Sequence, residues 1–77
     1  MKNLNFSDLE KYIFNDITLY NEGQNIKFSM NELNSPQVGD IILKDKVLYK
    51  CVAHNDITSH EESDNGLSLC QIELEKI

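Results

Sequence analysis

Gly39-Asp40-Ile41-Ile42-Leu43-Lys44-Asp45-Lys46-Val47-Leu48-Tyr49-Lys50-Cys51-Val52 carries the strongest strand signals in the chain. Ile41-Ile42-Leu43 and Val47-Leu48-Tyr49 are built from the β-branched, aliphatic and aromatic side chains that suit a pleated, half-buried surface. Lys44-Asp45-Lys46 between them is short and polar, as a hairpin turn requires. On the returning strand Val47, Tyr49, Cys51 and Ala53 fall on one face by period-two alternation. A β-hairpin therefore sits in the middle of the chain, and other strands must flank it to bury its apolar face.

Downstream, Asn55 to Gly66 is a polar loop in which Ser59-His60-Glu61-Glu62 has the pattern of a capping box, so one helical turn is expected there. Asp64-Asn65-Gly66 turns the chain. A final strand, Leu67 to Glu75, alternates Cys70, Ile72 and Leu74 against Gln71, Glu73 and Glu75. Upstream, Asn31 to Gln37 contains the only proline, Pro36, and reads as a connection. Before it, Ile26, Phe28 and Met30 alternate with Lys27 and Ser29. Ile17 and Leu19 alternate with Thr18 and Tyr20, and Asn21-Glu22-Gly23-Gln24 joins the two runs as a second hairpin.

The N-terminal segment reads as a helix. Ser7-Asp8-Leu9-Glu10 is a capping-box pattern, and Leu9, Tyr12, Ile13 and Ile17 make one apolar stripe at i, i+3, i+4, i+8. The helix is expected to end near Asn15, with an end at Tyr20 as the alternative. Taken together, these elements predict an α+β domain spanning residues 1–77. One N-terminal helix packs on a curved antiparallel sheet of about five strands, with an SH3-like barrel as the alternative.

Length and composition exclude several functions. In 77 residues with 40% apolar side chains there is one small core and no room for separate cofactor and substrate domains. No apolar run exceeds three residues, far short of the roughly 20 that a membrane helix needs. Met1 to Asn5 lacks the apolar region of an export signal, so a cytoplasmic location is expected. All seven basic residues are lysine, and arginine, the usual bidentate reader of phosphate and guanine, is absent. With a net charge of −6, direct nucleic-acid binding is not expected.

Chemical motifs are equally scarce. Cys51, His54, His60 and Cys70 are the metal-ligating types present, but a regular strand would send Cys51 and His54, three apart, to opposite faces. The favoured reading is two buried thiols packed as small hydrophobes, with no metal and no other cofactor. A zinc-stabilised regulator is the third-ranked class. Gly23, Gly39 and Gly66 are too far apart for a phosphate-cradling loop, and Ser59 beside His60 is not a convergent triad. No enzymatic activity is expected.

Charge is the remaining signal. Residues 1–52 hold six lysines against seven acids, whereas residues 53–77 hold Lys76 alone against Asp56, Glu61, Glu62, Asp64, Glu73 and Glu75. If the last strand alternates as read, Glu73 and Glu75 line its outer face beside an acidic loop. Those six acids form the candidate binding face for a protein partner with a basic surface, the chain itself being a monomer or homodimer.

Nine asparagines, a single alanine and no arginine give the composition of an AT-rich genome. Small, acidic and without a chemical motif, the chain resembles the small proteins that phages use to block host factors, the anti-CRISPR proteins among them. That resemblance implies an inhibitor that occupies the basic nucleic-acid-binding surface of a host defence or nucleic-acid-handling protein. Val38 to Val52 also resembles a hairpin of SH3-like barrels. This second resemblance implies the alternative function, an accessory module of a phage or bacterial assembly that recognises a peptide or envelope polymer through exposed aromatics such as Tyr20 or Tyr49.

Overall fold

The computed structural model describes residues 2–15 and 25–77. In chain order they form β1 (Asn3–Asn5), α1 (Phe6–Leu9), a 3-10 turn (Glu10–Tyr12), β2 (Ile13–Asn15) and β3 (Asn25–Asn31). A second 3-10 turn (Glu32–Asn34) leads to β4 (Ile41–Lys44), β5 (Val47–Asp56), α2 (His60–Asp64) and β6 (Leu69–Lys76). The six strands make one curled half-barrel sheet in the order β1-β4-β5-β6-β3-β2. The class is α+β. Among the described residues there are six strands against the five expected, and the sheet is mixed, because β1 lies parallel to β4 with Asn3 opposite Ile41.

The strand order explains the curl. β1 and β2 are the two edges of the sheet, yet only Phe6 to Tyr12 connects them. Four helical and three 3-10 residues span roughly 12 Å, whereas the edges of a flat six-stranded sheet lie about 24 Å apart. The sheet must roll up until its edges come within reach of that strap. Phe6 and Leu9, buried at 7% and 4% exposure, plug the open side, and the Phe6 ring meets Phe28 edge-on at 5.5 Å. Ile26, Phe28, Met30, Ile42, Cys51, Cys70, Ile72 and Leu74 line the concave face with almost no exposure.

The expected helix to Asn15 is corrected by the strap. Asn5, not Ser7, is the N-cap, its side chain accepting the Ser7 backbone N–H at 3.2 Å, and the helix stops after Leu9. A helix this short gains little from cooperativity, while the free edge of β3 offers unpaired backbone groups. Ile13 to Asn15 satisfies them by pairing with Met30 and Ser29. Phe14 is 55% exposed on this edge strand, so its exposure belongs to a strand and not to a helix face. The arm Ile17–Tyr20 and the turn Asn21–Gln24 lie outside the described residues.

The central hairpin forms as read from sequence, with Lys44 opposite Val47 and Asp45-Lys46 as its two-residue turn. Both turn residues have positive φ, 50° and 67°, the combination normally given to Asn-Gly. Replacing Lys46 with glycine is expected to relieve the left-handed strain and raise stability by roughly 0.5–1 kcal/mol in urea unfolding.

Asp40 ties the first strand to the turn before β4. It is 5% exposed, and its carboxylate accepts the backbone N–H groups of Lys2 at 3.0 Å and Gln37 at 2.8 Å. Burial pushes this carboxyl up, but the two backbone donors and the Lys2 charge outweigh it and hold it below the ordinary 3.8. The folded state therefore releases this proton more readily than the unfolded chain. Its contribution is complete above the unfolded value and is lost as pH falls through the folded one. Asp40→Asn should lower stability by about 1–3 kcal/mol at neutral pH and flatten the acid limb of stability against pH.

Candidate functional site

The six acids singled out from sequence separate into two groups. Asp56 ends β5, and Glu61, Glu62 and Asp64 lie on α2, so these four gather at one end of the half-barrel. Glu73 and Glu75 lie roughly 13 and 20 Å further along β6 from its start at Leu69. They occupy the face opposite the buried Cys70, Ile72 and Leu74, as alternation requires. There they are interleaved with lysines. Glu73 faces Lys27 across the ladder, with a charge contact of 3.5 Å, and Glu75 faces Lys50.

The group at the α2 end keeps its negative charge more nearly unpaired, although local structure uses part of it. Ser59 and Glu62 form the capping box read from sequence, with the Glu62 N–H donating to the Ser59 hydroxyl at 3.1 Å and the Ser59 N–H to the Glu62 carboxylate at 3.0 Å. Asp56 accepts the Thr58 N–H at 2.9 Å, and hydrogen bonding from the Thr58 backbone and side chain holds its carboxyl below the usual range. Asp64 lies 3.6 Å from the exposed His60 ring. Glu61 is exposed with no side-chain role in these contacts. From Cys51 to Glu75, and from Phe28 to Leu43, the chain contains no lysine.

Apolar side chains stand among these acids. Leu33 is 82% exposed and Leu67 44%, and the two share a shallow depression of about 380 Å³ with Glu32 and Ser68. Ile57 is 41% exposed, its N–H donating to the Leu69 carbonyl. An adjoining open depression of about 660 Å³ brings Ser59, His60 and Asp56 near one another. It does not assemble a nucleophile and base, because the Ser59 hydroxyl caps α2 and the His60 ring turns to Asp64.

A second constellation lies at the same end and corrects the sequence argument about His54. The ladder between β5 and β6 shifts register between Cys51 and Ala53, a bulge that leaves Val52 unpaired. Cys51 lies opposite Leu74, Ala53 opposite the outward Glu73, and His54 opposite the buried Ile72. Cys51 and His54 therefore share the concave face, whereas Ala53 leaves the face assigned to it. His54 Nδ1 donates to the Pro36 carbonyl at 2.9 Å, and Nε2 meets both Glu32 carboxylate oxygens at 3.0 and 3.1 Å. A carbonyl only accepts, so Nδ1 is the donor of the first bond.

Cys70 completes this cluster: one ligand atom each from Glu32, His54 and Cys70 lies within 4.8 Å of the others. His60 and Cys51, which the sequence grouped with them, are not members. Burial pushes the Cys70 thiol up to about 11, the Glu32 and Asp56 carboxylates adding to the effect and Ser35 opposing it. Burial likewise raises the Cys51 thiol. Both thiols are fully buried and protonated at neutral pH, which suits packing and not nucleophilic attack.

Glu32 was not among the candidates because nothing local distinguishes it, and it reaches His54 across 22 positions of chain. Cys51-Val52-Ala53 is three apolar residues in a row, but so is Val47-Leu48-Tyr49 in the same strand, where the register does not shift.

Neither thiol should react with iodoacetamide in the native protein near pH 7. Both should label at once in denaturant, as mass spectrometry of the intact chain would report. Native labelling of Cys70 would refute the buried, protonated assignment.

In comparisons with known proteins the chain matches no family model, no curated protein and no solved structure.

Proposed function

We propose that this chain is a non-catalytic interaction protein that docks the α2 end of its half-barrel on a basic protein surface. In this reading it is a phage-encoded inhibitor covering the nucleic-acid-binding surface of a host defence or nucleic-acid-handling protein. The observation that carries the proposal is the composition of that end. Leu33, Ile57 and Leu67 are exposed apolar anchors at the end that carries Asp56, Glu61, Glu62 and Asp64, in segments without lysine. Apolar anchors supply affinity once water is excluded, and the surrounding charge steers the encounter and selects a positive partner. Glu73 and Glu75, paired with lysines across the ladder, extend the surface with less net charge.

The accessory-module alternative draws less support. It relied on exposed aromatics, but Tyr49 is only 7% exposed on the concave face, and Tyr20 lies outside the described residues.

The test uses the geometry to choose its substitutions. Glu62 is committed to its own helix cap, so Glu61→Lys and Asp64→Lys reverse charge with least damage to α2. Tagged wild-type chain in nuclease-treated bacterial lysate should retain a nucleic-acid-handling protein at low salt and shed it at high salt. The double variant should associate with that protein roughly tenfold or more slowly at low salt, and lose most of the salt dependence. Unchanged association by the double variant would exclude the acidic-end mechanism. A salt-resistant structural or envelope partner would favour the accessory module.

A further inference from the structure

We propose that Glu32, His54 and Cys70 form a binding site for a divalent transition-metal ion of the zinc class, with water as the fourth ligand. The three residues come from the turn after β3, from β5 just past its bulge, and from the start of β6. Their ligand atoms lie within 4.8 Å of one another, and a tetrahedral zinc ion holds its donors about 3.5 Å apart. A contraction of about 1 Å is needed, and Glu32, with its side chain 40% exposed at the rim, has the freedom to supply it. His54, 14% exposed, has little freedom and needs none. Its Nδ1–H is fixed on the Pro36 carbonyl, which aims Nε2 into the cluster, and a backbone carbonyl on the second nitrogen is the usual way a metal-binding histidine is oriented.

The donor set selects the ion. One imidazole nitrogen, one carboxylate oxygen and one sulfur are too soft together for magnesium or calcium, and they match the borderline preference of zinc and cobalt. Ligation by Cys70 requires its thiol proton to leave, and the positive charge of the ion neutralises the thiolate where it forms. Metal binding would join three segments that are remote in sequence at the end of the barrel that carries the acidic and apolar surface.

The experiment uses the purified full chain with Co²⁺ as a spectroscopic probe and Zn²⁺ as competitor. It stands apart from the partner reading because no partner is present. The expected result is a thiolate-to-cobalt charge-transfer band saturating at about one ion per chain, erased by Zn²⁺ and accompanied by a rise in thermal stability. Cys70→Ser should abolish the band. Glu32→Gln should weaken binding by about tenfold or more, and His60→Ala, at an exposed histidine outside the cluster, should leave it unchanged. Absence of a band with Co²⁺ in large excess would overturn the proposal, as would a band that survives Cys70→Ser. Should Cys70→Ser fail to fold, Glu32→Gln at the rim decides: undiminished affinity there would equally overturn it.

Discussion

Seven residues, Phe6 to Tyr12, join the two opposite edges of a six-stranded sheet, and most of the architecture answers to that constraint. A connection this short cannot cross a flat sheet, so the sheet curls, and its concave face becomes narrow enough for eight strand side chains and the two strap side chains to fill. The same constraint makes the N-terminal helix short. Every residue kept helical beyond Leu9 would shorten the strap's reach and leave the β3 edge unpaired. Asn5 capping the helix and Ile13 pairing with Met30 are two ends of one solution.

One residue of slippage in β5 has the next largest consequence. Because strand faces alternate with period two, a single unpaired residue at Val52 exchanges inside for outside over the rest of the strand. His54 is thereby brought onto the concave side, where it meets the carbonyl of the buried Pro36 and the Glu32 carboxylate. Among the described residues no buried side-chain polar atom lacks a partner, so this end of the core contains polar groups without leaving any orphaned. The result is a compact set of nitrogen, oxygen and sulfur atoms directly beneath the surface proposed to meet a partner.

Charge is distributed unevenly along the barrel, while exposed apolar side chains lie at both ends, Leu43 and Leu48 beside the hairpin turn among them. The hairpin turn at the far end carries Lys44 and Lys46, and Lys50 lies near it on β5, whereas the α2 end is made from stretches without lysine. Lys44 lies over the Phe6 ring at 4.8 Å, so part of that positive charge sits against the strap. The asymmetry gives the molecule one acidic end studded with leucine and isoleucine. In the proposed reading such a surface meets a positively charged protein with an apolar recess.

The sequence by itself determined the elements whose cause is local. The Ile41–Val52 hairpin, the capping box on α2, the alternation of β6 and the acidic bias after residue 52 all depend on side chains within a few positions of one another. The class, α+β with a curved sheet, followed from those. Tertiary structure alone decided the parallel pairing of β1 with β4, the early end of the first helix and the inward turn of His54. Each depends on a partner far away in sequence, and neither hydrophobic period nor propensity encodes which remote backbone edge will need pairing. The same holds for the cluster of Glu32, His54 and Cys70, whose members lie 22 and 16 positions apart and meet only when the sheet closes.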